Sequence, residues 1–275
     1  MPKLSFLWAT LIGCLLLAGA AQAGETLMLA TTTSTDNTGL LDQLAPRFED
    51  DTGIELKWTA VGTGKALELG RNCDVDVLLV HAPAAEKTYV QNGYGVDRQK
   101  VMYNDFVLIG PKKDPAGIKG MSVFEAMRRL SQKKAQFASR GDDSGTNTKE
   151  RRLWSLSDLQ IPDGQEWYLE TGQGMLATIR IAAQRDAYTM TDRGTYMKYS
   201  HSHNGNPPLD ILVAGDNSLF NQYSVLAVNP KNCLHVKYDL AASFTEWITS
   251  PHVQEAIGNY KLLGKELFTP NAKQN

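Results

Sequence analysis

The sequence predicts an α/β fold built as two domains. Short apolar runs of strand length alternate with amphipathic helical segments along most of the chain, and this alternation is typical of parallel sheets covered by helices. No Pro-, Gly- or Ser-rich linker divides the sequence. We therefore expect the backbone to cross between the two domains in extended segments.

Each predicted strand rests on its hydrophobic pattern. The alternation of Ile54, Leu56 and Trp58 with polar neighbours predicts a half-buried strand, whereas the apolar run 75–80 predicts a more fully buried one. A helical spacing of apolar residues over 124–130 marks one intervening helix. The predicted strands are residues 26–31, 54–60, 75–80, 101–110, 136–139, 187–191, 209–213 and 223–229.

Two of these strands, 101–110 and 223–229, are the candidates for the crossing segments. They divide the chain into domain I, residues 24–107 and 223–275, and domain II, residues 108–222. Domain I is then discontinuous in sequence. Two crossing strands of this kind act as a hinge, because small dihedral changes in them let the domains close around a ligand.

The first 23 residues have the pattern of a signal peptide. Lys3 is followed by an apolar run over residues 4–20 and by the small-x-small sequence Ala21-Gln22-Ala23, which predicts cleavage after Ala23 and export to the periplasm. The run is shorter than the roughly 20 residues that a membrane-spanning helix needs. Lipid attachment at Cys14 is the alternative, but the strongly apolar sequence after Cys14 disfavours it.

The charge of the mature chain argues against nucleic acid as a partner. Cleavage after Ala23 leaves 252 of 275 residues, with 27 Lys and Arg against 30 Asp and Glu, a net charge of −3 with neutral His. Such a chain has no basic field to attract nucleic acid or an anionic membrane, so we expect a small ligand. Its two cysteines, Cys73 and Cys233, either pair after export or stay as separate buried thiols, and the sequence leaves both open.

Two polar turns in the first half of the chain are candidate binding segments. The first is the hydroxyl-rich run 31–35, before a helix expected to begin near residues 37–38. The second is Gly62-Thr63-Gly64, before a helix expected near Lys65; its glycines let the backbone approach a ligand while Thr63 offers a hydroxyl. Unpaired N–H groups at such helix starts attract anions. An ordinary helix cap and a tight turn without a ligand are the alternatives.

The third segment, residues 140–146, adds a charge to hydroxyls and helix-start amides. Arg140 supplies a planar fork of donors suited to paired oxygens, and Asp142 is placed to hold that fork by accepting one N–H. Ser144 and Thr146 supply hydroxyls, the N–H groups of Gly145 and Thr146 face outward at the helix start, and we expect Asp143 to cap the helix. A surface capping loop with an incidental ion pair is the alternative.

The three turns together predict a single cleft. Ligands in open α/β sheets bind beyond the carboxyl ends of strands, where all three turns are expected. Neutral dipoles and one arginine suit a small oxyanion in an acidic protein, since fixed donors need not match the charge of a dianion one for one. We expect no cofactor and no cationic metal, because the pair His201 and His203 lacks a third ligand at a regular spacing.

At these motifs the chain resembles the tungstate-binding proteins of bacterial tungstate ABC importers, from about Leu29 to Pro270. The matching segments are residues 31–40, 62–67, 104–106, 139–146 and 191–195. The resemblance implies a two-domain periplasmic binding protein of the type II cluster, without catalysis, whose partners are a membrane permease and an ATPase. We expect the protein to be a monomer.

The resemblance also implies a ligand set. The residues expected to contact the oxyanion are Thr32, Thr33, Ser34, Thr63, Arg140, Ser144, Gly145 and Thr146, with Asp142 behind Arg140. Tungstate is the expected ligand, and molybdate is not separated from it by residue types because the two anions have nearly the same size and charge. Cys73 departs from the family pattern, which has glycine there.

Phosphate is the closest alternative ligand, because the segment 140–146 also resembles the loop of periplasmic phosphate-binding proteins. Phosphate carries a proton that needs an acceptor, whereas tungstate, molybdate and sulfate near neutral pH only accept hydrogen bonds. A free carboxylate in the site would therefore favour phosphate. A hydrolase with Ser144 as nucleophile is a remote alternative, because Ser144 lacks a Gly-x-Ser-x-Gly elbow and the histidines form no recognisable triad pattern.

Overall fold

The computed structural model describes residues 24–273, so the predicted signal peptide, with Cys14, lies outside the described residues. The strands are β1 (Glu25–Thr32), β2 (Ile54–Val61), β3 (Val77–Val80), β4 (Gly95–Pro111), β5 (Phe137–Ser139), β6 (Tyr168–Glu170), β7 (Thr189–Asp192), β8 (Leu209–Val213), β9 (Phe220–Val228), β10 (Lys261–Leu262), β11 (Lys265–Glu266) and β12 (Thr269–Pro270).

Helices cover the strands between these segments. They are α1 (Thr33–Asp36), α2 (Leu40–Thr52), α3 (Thr63–Arg71), α4 (Pro83–Gln91), α5 (Val123–Lys133), α6 (Gly145–Leu156), α7 (Met175–Gln184), α8 (Arg193–Ser202), α9 (Tyr238–Thr249) and α10 (Pro251–Gly258). Within residues 24–273, no helix is both long and apolar enough to cross a membrane.

The main sheet has the strand order β12-β4-β9-β3-β1-β2. β1 pairs in parallel with β2 on one side and with β3 on the other, whereas β9 runs antiparallel to both β3 and β4. β2, β1 and β3 consequently end at the same edge of the sheet, and the turns that follow them lie side by side.

β4 belongs to two regions of sheet. Residues 95–105 pair with β9, and residues 106–111 pair with β7 and β8 instead. β9 begins beside this point, since Asp105 lies opposite Phe220. The chain therefore passes between the two regions in extended backbone, along the strands predicted at 101–110 and 223–229.

The hydrophobic cores separate at the same point. Two clusters of buried residues are drawn from residues 27–102 and 223–268, and two others from residues 106–219. We call residues 24–105 and 220–273 the first lobe and residues 106–219 the second lobe. The domain division predicted from the sequence stays a prediction, which this separation of the cores supports.

The structure corrects two of the predicted elements. β4 begins at Gly95, six residues before the predicted start, because its polar first half is held in the sheet by specific contacts and interrupted by bulges; Arg98, for example, pairs with buried Glu86 and donates to Ser224. The predicted start of a helix near residues 37–38 is wrong. A short helix begins at Thr33, and a second one begins at Leu40 after Gly39, whose φ of 82° breaks the first.

Cys73 and Cys233 form a disulfide, with their Cα atoms 5.5 Å apart. The bond joins the end of α3 to the loop between β9 and α9, so both ends lie in the first lobe. Cys73 has φ of 66°, the left-handed backbone that glycine adopts most easily. Glycine, which the family resemblance implies at this position, would adopt the same conformation without strain.

Candidate functional site

The candidate site begins at the shared carboxyl edge of β2, β1 and β3. Thr63 follows β2, Ser34 follows β1, and His81 follows β3. All three side chains are buried. The first two were predicted from their turns, whereas His81 was not among the predicted site residues. Its signal in the sequence was its position directly after the buried strand 75–80.

The threonine run is ordered by hydrogen bonds around Thr32. The Oγ1 atom of Thr32 accepts from the backbone N–H of Thr35 at 3.2 Å, which caps α1, and lies 3.2 Å from Ser34 Oγ and 2.7 Å from Thr35 Oγ1. Thr31 instead donates its hydroxyl to the carbonyl of Leu79 at 2.8 Å. Thr32 and Ser34 thus form a buried hydroxyl cluster that Thr31 does not join.

Thr33 and Thr63 differ in their surroundings. Thr33 is exposed, so of the predicted contacts in this run it is the one whose side chain lies outside the buried cluster. Thr63 is buried at the first position of α3, and its Oγ1 atom has no hydrogen-bond partner within residues 24–273. A buried hydroxyl without a partner is costly, so Thr63 retains an unused donor at this edge.

His81 links the threonine run to the interior. Its Nε2 atom lies 3.1 Å from both Ser34 Oγ and Thr32 Oγ1, and its ring packs 4.8 Å from the ring of Tyr223. Burial lowers the pKa of His81 to about 4, and the positive charge of Arg140 acts in the same direction. The imidazole is therefore neutral at physiological pH and adds no charge to the site.

Arg140 comes from the second lobe, directly after β5. Its side chain is 9% exposed and donates through Nη2 to Asp142, while its Nε atom has no hydrogen-bond partner among the described residues. Asp142 also accepts from the backbone N–H of Ser144 at 3.2 Å. The role predicted for Asp142, to orient the guanidinium, matches these contacts.

Ser144 directly precedes α6, and its hydroxyl donates no hydrogen bond within residues 24–273. Its Oγ atom accepts from the backbone N–H of Asn147 at 3.3 Å as the helix cap, and an oxygen that accepts one bond still donates its own proton. Asp143 was expected to be the cap, and that expectation is wrong, because Ser144 occupies the capping position. Thr146 is the second residue of α6, and its side chain is buried, with 2% exposure.

A buried network fixes the segment 140–146 from behind. Glu150 accepts from Ser139, from Trp154 at 2.5 Å and from Tyr168 at 2.8 Å, and Asn147 donates to Ser139 at 3.1 Å. Burial raises the pKa of Glu150 although these donors oppose it. The residue before Arg140 and the helix after Ser144 are thereby held in one geometry.

The two lobes approach each other closely at Gly145. A Cβ atom at Gly145 would lie 3.0 Å from Thr63 Oγ1 and 3.1 Å from His81 Cε1, both of which belong to the first lobe. There is consequently no room for a side chain between the start of α6 and the carboxyl edge of the sheet. The predicted residues of the two lobes meet at this point.

Two carboxylates near the site, those of Asp142 and Asp192, are already engaged, whereas Asp143 is exposed to solvent. Asp142 accepts from Arg140 and Ser144, and buried Asp192 accepts from the backbone N–H of Thr195 at 2.8 Å and from its hydroxyl at 2.7 Å. Burial raises the pKa of Asp192, and Arg140 opposes that shift. The side chains that remain available are therefore mainly donors, which is the arrangement that an oxyanion without protons requires.

Two other kinds of site lack support in the described residues. The Nδ1 atom of His81 has no hydrogen-bond partner there, so no carboxylate completes a triad with the pair Ser34 and His81, and Ser144 bonds to a backbone N–H rather than to a histidine. Residues 24–273 also contain no group of three or more His, Cys, Asp or Glu side chains arranged to hold a metal ion.

Comparison with known proteins identifies the family. The family model described as a PBP superfamily domain matches residues 19–252. The tungstate-binding protein TupA of Campylobacter jejuni is 49% identical over 240 residues, which cover 87% of this chain and 89% of that protein. The chain belongs to the family of tungstate-binding proteins. The periplasmic binding protein fold and the family resemblance predicted from the sequence are thereby confirmed.

Solved structures of the family have the same fold. The tungstate-binding protein TupA from Desulfovibrio alaskensis G20 superposes with a TM-score of 0.83 and 61% identity, over 90% of this chain and all of that chain. The structure described as the tungstate ABC transporter from Geobacter sulfurreducens has a TM-score of 0.77 and 47% identity, over 86% of this chain and 99% of that chain.

Proposed function

We propose that this protein captures tungstate between its two lobes in the periplasm and delivers it to an ABC importer. The observation that carries the proposal is the site itself, a buried group of hydroxyls and one arginine drawn from both lobes. Membership of the tungstate-binding family supports tungstate as the ligand. The expected partners are a membrane permease and an ATPase, and the binding protein itself acts without a cofactor and without catalysis.

The proposed ligand contacts divide between the lobes. Thr32, Ser34 and Thr63, with the backbone of Thr33, face the anion from the first lobe, and Arg140 with residues 144–146 faces it from the second. Hydroxyls and backbone N–H groups bind a dianion well when they are fixed in advance, and the guanidinium adds a charge-assisted bond. His81 belongs to the same group, since it fixes the hydroxyls of Thr32 and Ser34.

Discrimination against phosphate rests on the engaged carboxylates of Asp142 and Asp192, because Asp143 is exposed to solvent. A protonated phosphate oxygen needs an acceptor, and leaving it without one costs about 1–3 kcal/mol. Asp142 and Asp192 are occupied by donors from the protein. The site therefore favours tungstate, molybdate or sulfate over phosphate by charge and hydrogen bonding. Discrimination between tungstate and sulfate then depends on the size of the cavity.

Calorimetry on the purified mature protein tests this function. Tungstate is titrated first, and molybdate, sulfate and phosphate are then titrated in separate runs and in competition with tungstate. We expect the tightest binding with tungstate and the weakest with phosphate. Metal analysis of protein purified without added anion gives an independent reading. Tighter binding of phosphate or molybdate than of tungstate would refute the assignment of the ligand.

A further inference from the structure

A pocket of about 140 Å³ adjoins the candidate oxyanion site and shares His81 and Gly145 with it. The first residues of α4 form its wall in the first lobe, and one face of α6 forms its wall in the second. Phe106, Phe220 and Asn221 lie between the two walls. The pocket thus lies beside the junction of the lobes, next to the proposed ligand contacts.

The α6 wall of the pocket carries two positive charges. Lys149 is half-buried and Arg152 is exposed, and their spacing of three residues puts them on one face of the helix. Burial lowers the pKa of Lys149, and the charge of Arg152 lowers it further. Such a shift means that the ammonium lacks sufficient compensation from its surroundings.

Lys149 and Arg152 make only weak interactions with the rest of the protein. The Nζ atom of Lys149 donates to the backbone carbonyl of Phe220 at 3.3 Å. The carboxylate of Asp216 partly offsets the lowered pKa of Lys149, but it accepts from the backbone N–H groups of Ser218 and Val123. Among the described residues, neither Lys149 nor Arg152 forms a salt bridge.

The opposite wall offers further polar groups. α4 has nine residues, begins with Pro83 and has no side-chain cap, so N–H groups of its first turn are unpaired within the helix. The pocket is also lined by two deeply buried side chains, His81 at 5% exposure and Asn221 at 1%, and a hydrogen bond from Asn221 partly offsets the lowered pKa of His81.

We propose that this pocket is an outer anion site, which attracts an incoming tetrahedral oxyanion to the junction of the lobes before the anion reaches the inner contacts. The inference rests on the proposed function. Lys149 and Arg152 supply attraction, and the start of α4 supplies backbone N–H groups. In a chain of net negative charge, a local positive pocket raises the concentration of anions where they enter.

The test measures rates of tungstate binding to the mature protein by stopped-flow tryptophan fluorescence. In the double variant Lys149→Gln/Arg152→Gln we expect the association rate at low ionic strength to fall about 10-fold, within the range of electrostatic steering. The association rate of the wild type should fall with added salt, and that of the variant should change much less. The dissociation rate should stay within about 2-fold, because these side chains do not hold the bound anion.

A matched control removes the same net charge elsewhere. Arg128 and Arg129 are half-buried and exposed, respectively, on α5, where they line a different groove. The double variant Arg128→Gln/Arg129→Gln should keep the wild-type association rate within about 2-fold. Equal effects of the two double variants, an unchanged association rate in the first, or a change confined to dissociation would each overturn the outer site. Absence of tungstate binding in the wild type would instead reject the proposed function.

Discussion

Substitution of Gly145 by alanine tests whether the ligand is bound by close approach of the two lobes. Gly145 is the first residue of α6, and its φ is not in the left-handed region, so alanine is compatible with the backbone. The added methyl group would lie 3.0 Å from Thr63 Oγ1 and 3.1 Å from His81 Cε1. Ordinary contacts of these atoms begin a few tenths of an ångström further apart.

The expected magnitude follows from where those neighbours sit. Thr63 and His81 directly follow strands of the main sheet, so their backbone positions cannot shift far. We therefore expect the steric strain to be relieved by a wider separation of the two lobes. Overpacking of this kind costs about 1–3 kcal/mol, which corresponds to a dissociation constant for tungstate about 5- to 150-fold higher. The ligand-free protein escapes the clash by opening, and it gains slightly from alanine in place of glycine in a helix.

The two effects are measured separately. Isothermal titration gives the affinity for tungstate, and thermal unfolding without ligand gives the stability, which we expect to be unchanged or slightly higher. Gly174→Ala is the control, because Gly174 directly precedes α7 in the second lobe and a Cβ atom there meets nothing within 4 Å. Wild-type affinity in Gly145→Ala would refute the argument that binding requires this approach of the lobes.

Three further perturbations have defined outcomes. Arg140→Ala should raise the dissociation constant for tungstate by about 10- to 150-fold, from loss of a charge-assisted bond of about 1.5–3 kcal/mol; unchanged calorimetric affinity would mean that the ligand lies elsewhere. The folded protein binds a proton at His81 only below about pH 4, whereas the unfolded chain binds one below about 6.5. His81 thus destabilises the fold as pH falls from 6.5 to 4, by up to about 3 kcal/mol; urea unfolding of His81→Gln should lack this part of the pH dependence, and identical profiles would contradict it. Cys73→Ser/Cys233→Ser should lower the free energy of unfolding by up to about 5 kcal/mol without changing tungstate affinity, and a weaker affinity would show that the disulfide shapes the site.

The binding turns were predictable because their signals are local. A buried strand, a short polar turn and a helix start follow one another within about ten residues, and Thr63 and the segment 140–146 lie where that order predicts. The start of α1 was not predictable in the same way. Threonine is a poor helix former, and the helix at Thr33 depends on the side-chain cap from Thr32 to Thr35 and on the left-handed Gly39.

His81 shows what a single sequence leaves out. One histidine after an apolar run has no pattern of its own, and its role depends on the parallel pairing of β3 with β1, which sets it beside Thr32 and Ser34. The same holds for Asp143 and Ser144, since both are good cap residues and only the backbone geometry decides between them. Contacts between distant segments, rather than local propensities, account for these misses.

The disulfide between Cys73 and Cys233 has a consequence for the time at which the protein becomes stable. Its two ends are 160 residues apart in sequence, so the loop it closes contains the whole second lobe. The bond forms only in an oxidising compartment, and closing so long a loop removes conformational entropy from the unfolded chain. The reduced chain is consequently less stable than the oxidised one. If the chain is exported as proposed, it acquires its full stability only after it has left the cytoplasm.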